Sequence, residues 1–201
     1  WVSGTAVAQI VALLSSFFVF GILYTPAQLG FSANFMLWVE VIAIVASGRY
    51  EYAIVLPEDD NDGFNITILT LILSYLFCIL LFVILLATKL VFFALVTFPQ
   101  WFLLLPLGIV LVSNYQALTY WYIRRKQFKR ISLNRILQTT FYSVTAIIYA
   151  LIARRNSNIT FNGLVFSQLV AQSVVLLLFF IDYITDYKKT GYKVQLKSLL
   201  A

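Results

Sequence analysis

Six stretches of about twenty mostly apolar residues follow one another along the chain, at about 2–23, 30–56, 65–88, 101–123, 132–153 and 161–184. A helix of about 20 residues crosses the hydrocarbon core of a bilayer. In that medium the backbone must satisfy its own hydrogen bonds, which leaves helices or closed barrels. The runs are too long and too evenly apolar for barrel strands, so the expected fold is all-α, a six-helix polytopic membrane bundle. Composition agrees. The chain is 62% hydrophobic and 11% charged, with mean hydropathy +0.92, against roughly a quarter charged residues in soluble domains. The segments between runs are too short to hold a soluble domain.

The breaks between runs set the expected topology. Tyr24-Thr25-Pro26 ends the first run and Pro57 the second, because proline cannot continue a helix. The acidic stretch Glu58-Asp59-Asp60-Asn61-Asp62-Gly63 reads as a solvated loop, Thr97-Phe98-Pro99-Gln100 as a turn, and Pro106 as a kink in the fourth helix. A Lys-rich tail at 186–201 closes the chain. With six spans, Arg124, Arg125, Lys126, Lys129, Arg130, Arg135, Lys188, Lys189, Lys193 and Lys197 share a side with both termini, and only Lys89, Arg154 and Arg155 lie opposite. The positive-inside rule then makes both termini cytoplasmic. The net charge of +6 is accounted for by this bias and is no sign of nucleic-acid binding. Cys78, the single cysteine, is expected to pack as a small hydrophobe. The chain begins at Trp1 without a basic leader, so its first run is expected to be a mature helix of a trimmed or partial protein.

The second run is unusual in carrying Glu40, Arg49 and Glu51. Ionisable residues inside a membrane span are costly and point to a bundle interior or a wet cavity. At 100° per residue, Glu40 and Glu51 fall within about 20° of one another and Arg49 on the opposite face. Gly48 offers a place for the helix to kink or unwind. Two readings of Arg49 stand side by side. Either it faces a cavity and meets an anionic group, or it snorkels about 10 Å to lipid phosphates.

Other polar groups have similar pairs of readings. Asn114, Gln116 and Tyr120 in the fourth span suit either a sugar or a partner helix, and Tyr120-Trp121-Tyr122 also suits an interfacial aromatic belt. Gln9 lies in a first span rich in Gly, Ala and Ser, which favours close helix packing. Gln138, Gln168 and Gln172 mark polar faces on the last two spans. Catalytic constellations are not found. The acidic stretch fails as an EF-hand, since position 69 is Leu69 and the loop requires a glutamate there. Asp59-x-x-Asp62-Gly63 starts an aspartate pattern seen in lipid phosphotransferases, but Ile66-Thr67 follows and no second aspartate cluster exists. With no histidine, the expectation is no enzyme activity, no metal and no cofactor.

Several blocks resemble bacterial polysaccharide (O-antigen type) flippases of the multidrug/oligosaccharidyl-lipid/polysaccharide exporter superfamily. They are Ser3-Gly4-Thr5-Ala6-Val7-Ala8-Gln9, Tyr24-Thr25-Pro26-Ala27-Gln28-Leu29-Gly30, and above all Gly48-Arg49-Tyr50-Glu51-Tyr52-Ala53-Ile54-Val55-Leu56-Pro57. The last is similar to a family block in which leucine stands at the position of Tyr52. Tyr115-Gln116-Ala117-Leu118-Thr119-Tyr120-Trp121, with Arg135-Ile136-Leu137-Gln138 beyond the basic loop, is similar to another. The resemblance implies the N-terminal lobe of a two-lobed exporter in the bacterial inner membrane. Its cargo would be an undecaprenyl-pyrophosphate-linked oligosaccharide, and its partners membrane lipids and a C-terminal six-helix lobe. Arg49 would face the pyrophosphate, with Gln9, Glu51, Asn114, Gln116 and Tyr120 as further cavity groups. The competing expectation is a membrane-embedded assembly subunit whose polar faces only bind partner helices.

Overall fold

The computed structural model describes residues 10, 22–91, 100–155 and 162–190. Nearly all of the first expected span (2–23), together with Gln9, lies outside the described residues. Every regular element described is helical: α1 (Pro26–Ala46), α2 (Tyr50–Ala53), α3 (Asp60–Val91), a 3₁₀ turn (Gln100–Leu104), α4 (Leu105–Arg124), α5 (Phe128–Arg155) and α6 (Gly163–Thr190). Among the described residues, five helices are long and apolar enough to cross a membrane: α1, α3, α4 with its 3₁₀ lead-in, α5 and α6. That is the character of a multi-pass membrane protein.

Local chemistry moves several boundaries from their expected places. Helix α1 starts at Pro26, four residues before the expected 30. Thr25 caps it: the Thr25 hydroxyl accepts from the Gln28 amide, and the Gln28 side chain accepts from the Thr25 amide. This reciprocal capping box, with proline in the first turn, is a strong helix start. Helix α1 also ends at Ala46 instead of continuing to Leu56, so the second run is not one helix. The acidic stretch is not wholly a loop either. Asp59 Oδ1 accepts from the Asn61 amide at 3.0 Å, and Asp60 and Asp62 occupy the first turn of α3, where carboxylates face the positive end of the helix dipole. Pro106 lies in the first turn of α4 and kinks nothing, because the amide it lacks has no helical partner there. Finally, α6 runs on through Thr190, so the expected tail begins as helix.

Helix α4 is the centre of the bundle. It packs against α1, α3 and α6, while α5 leans chiefly on α6. More than half of α4's apolar window, 56%, is buried, against 17% for α5. The core joins Phe35, Val39 and Ala43 of α1, Leu71 and Cys78 of α3, Ile109 and Leu118 of α4, and Leu169 and Phe179 of α6. Cys78 is a buried free thiol in this core. At Gly108 of α4 an added Cβ would lie 2.9 Å from Val39 Cγ2, so glycine lets α1 approach closely. The outer faces keep Leu76, Ile79, Leu80 and Val83 of α3, Ile148, Leu151 and Ile152 of α5, and Leu177 and Ile181 of α6 exposed. An apolar surface of that extent suits acyl chains and would aggregate in water.

Candidate functional site

The break after α1 builds the site. Its last turn closes when the amides of Ser47 and Gly48 donate to the Ala43 and Val45 carbonyls at 3.0 and 3.1 Å. Gly48 (φ 58°) and Arg49 (φ 62°) then both adopt the left-handed conformation. Glycine enters that region freely, whereas a side-chain-bearing residue there costs roughly 1–2 kcal/mol. Strain of this kind persists only where the surroundings impose it, and it gathers at functional and switching positions. Arg49 precedes the single turn of α2, which carries Glu51 and Tyr52.

The break separates neighbours that a straight helix would orient differently. Arg49 is exposed. Its Nη1 donates to the Tyr52 hydroxyl at 3.0 Å, and its Cζ lies 5.5 Å from the Tyr52 ring centroid. Tyr52 in turn meets Tyr120 of α4 edge-on, with centroids 5.0 Å apart. Glu51 turns the other way. It is 3% exposed, and its Oε2 is buried without a hydrogen bond. Arg49 and Glu51 both lie within electrostatic range of Tyr120. Glu40 is exposed on α1. The face shared by Glu40 and Glu51 in an unbroken helix is therefore not formed, since the helix breaks between them.

Of the residues singled out in the sequence, Arg49 and Tyr120 both lie against Tyr52, whereas Glu51 is buried. Gln116 is half-buried on α4, one turn before Tyr120 and within about 40° of it around the axis. Asn114 is fully buried, and its Oδ1 accepts from the Ser74 hydroxyl of α3 at 2.6 Å. It faces a helix and not an open surface. Asn114 Nδ2 and the neighbouring Ser113 Oγ are buried without hydrogen bonds. Gln172 is likewise used inside the bundle, where its Oε1 accepts from Gln138 at 2.6 Å.

Three arginines at this end of the bundle have carboxylate partners. Arg124 Nε and Arg125 Nη1 both reach Asp60, at 3.1 and 3.0 Å. Arg130 pairs with Asp186 at 3.2 Å and lies 4.0 Å from Asp182. Arg49 has no carboxylate partner among the described residues.

Arg124 is the residue that sequence reasoning missed. Its side chain is 7% exposed, and its Nη1 donates to the Ile54 and Pro57 carbonyls and its Nη2 to that of Glu58. In the sequence it is one of several basic residues after Tyr122, and charge alone does not set it apart from them. The available signal was the acidic stretch at 58–62, placed on the same side of the membrane as the basic run. Among the described residues no group of three or more Cys, Asp or Glu side chains is placed to hold a metal. Comparison of the chain with protein-family models, curated proteins and solved structures returns no match.

Proposed function

We propose that this chain takes part in moving a lipid-linked oligosaccharide across the bacterial inner membrane, as one six-helix lobe of a flippase with both termini in the cytoplasm. Arg49 binds the pyrophosphate of the undecaprenyl carrier, and a second lobe forms the opposite wall of the path. The observation that carries this reading is the state of Arg49. It is exposed and held in a strained backbone conformation at a helix break, and among the described residues its hydrogen-bond partner is a tyrosine hydroxyl and not a carboxylate. Arg124, Arg125 and Arg130 at the same end each pair with an aspartate. A guanidinium left without a counter-ion is suited to a phosphate, which it grips with two parallel hydrogen bonds. The resemblance of Gly48–Pro57 to the flippase block points to the same residue.

The test uses a cell whose surface polysaccharide depends on the full-length parent protein. Arg49→Ala is expected to abolish surface polysaccharide while protein levels hold, and Arg49→Lys to restore it only in part. Normal polysaccharide from the alanine variant would reduce Arg49 to a snorkelling residue.

A second reading, a membrane-embedded assembly subunit, draws support from Asn114–Ser74 and Gln138–Gln172. Both pairs spend polar groups on contacts between helices. Under that reading Arg49→Ala leaves export intact, and loss of assembly follows from changes on the outer helix faces.

A further inference from the structure

We propose that Arg124 is a positioning residue for the anion site at Arg49: from another helix, its buried guanidinium holds the segment that leaves the Arg49 turn. This inference rests on the reading of Arg49 above. The turn cannot hold itself. Helix α2 has four residues, and so short a helix does not persist without outside contacts. The bonds that follow it are long, with the Val55 amide 3.5 Å from the Tyr52 carbonyl and that of Leu56 3.2 Å from Ala53.

Helix α4 supplies what is missing at two points one turn apart. Tyr120 lies against Tyr52, the partner of Arg49. Arg124, four residues on, gathers the carbonyls of Ile54 (3.1 Å), Pro57 (2.6 Å) and Glu58 (3.3 Å), while its Nε binds Asp60 (3.1 Å). Arginine's planar fork has five donors, enough for acceptors spread over several residues, whereas a lysine ammonium is a compact point. Gly63 makes room for the fork. A Cβ there would lie 2.7 Å from Arg124 Nε, 2.8 Å from Cζ and 2.9 Å from Cδ. Two substitutions on different helices therefore disturb the same clamp. Arg124→Lys keeps the charge and loses the fork, and Gly63→Ala displaces the fork and deletes none of its groups.

The experiment uses the full chain purified in lipid nanodiscs, with inorganic pyrophosphate as probe and binding read by equilibrium dialysis. In a Cys78→Ser background, a spin label at Leu56→Cys reports on the clamped segment. Arg49→Ala is expected to abolish pyrophosphate binding. Arg124→Lys and Gly63→Ala are expected to weaken it about tenfold, the scale on which residues that do not touch a ligand alter its binding, and to mobilise the label at 56. If Arg49→Ala loses binding while both clamp variants bind as the wild type does, the positioning role is overturned and the Arg49 reading stands. Weakened binding with an unchanged label at 56 overturns it too, because the effect then bypasses the clamped segment. If the wild type shows no saturable binding, or Arg49→Ala matches it, the Arg49 reading itself falls. Should Arg124→Lys fail to fold, Gly63→Ala decides.

Discussion

Among the described residues, two that carry side chains, Arg49 and Lys126, sit in the left-handed backbone region, with φ of 62° and 55°. Their settings differ. Lys126 closes α4: its amide donates to the Ile123 carbonyl and that of Gln127 to Tyr122, both at 2.9 Å. This is the paired bonding that ends many helices, with glycine the usual residue at its left-handed position. Lys126→Gly is expected to stabilise the fold by roughly 1 kcal/mol and to leave function untouched. Arg49→Gly should relieve a similar strain and yet remove anion binding. Thermal unfolding beside pyrophosphate binding checks the pair. If Arg49→Gly keeps binding, the guanidinium is not the ligand. The sequence allowed a break to be placed at Gly48, where glycine lets the backbone kink or unwind, but left open which way Arg49 turns. It did not reveal that Glu51 is buried or that Asn114 meets Ser74. Those outcomes depend on how the break is resolved and on the register between α3 and α4, which no single segment encodes.

At the scale of elements, the existence of the five long described helices was legible from apolar run length, and their ends were not. Asp and Asn disfavour helix interiors, so 58–62 looked like a loop. Capping by Asp59 and the helix dipole turned its second half into the start of α3. The charged run after Tyr122 was readable as a topological signal. Its division of labour was not, because the run does not show which acceptors lie opposite each cation. Close packing at the α1–α4 crossing gives a direct test. Gly108→Ala would bring a methyl against Val39, whose side chain is fully buried. Overpacking of this kind costs about 1–3 kcal/mol. A lowered unfolding temperature in nanodiscs is the expected result, and an unchanged one would mean that α1 can shift away without loss.

Over the whole molecule, charge is distributed by end. The ion pairs of Asp60 with Arg124 and Arg125, and of Asp186 with Arg130, gather at the end where α4 stops and α5 starts. Arg154, near the other end of α5, donates to the Ile22 carbonyl at 3.0 Å. If the positive-inside rule governs insertion, a cysteine at position 127, in a Cys78→Ser background, reacts with impermeant maleimide only after the cytoplasmic face is opened. Labelling in intact cells would invert the topology. The guanidinium lying across Gly63 also bears on how such a chain can drift. Positions 63 and 124 are 61 residues apart in the sequence, yet one needs the absence of a side chain so that the other can lie flat. A methyl gained at 63 becomes tolerable when 124 has already shortened, and a shortened 124 leaves the carbonyls of Ile54, Pro57 and Glu58 without the donor they share. The two sites are expected to change as a pair across descendants of this sequence, with glycine at 63 accompanying arginine at 124.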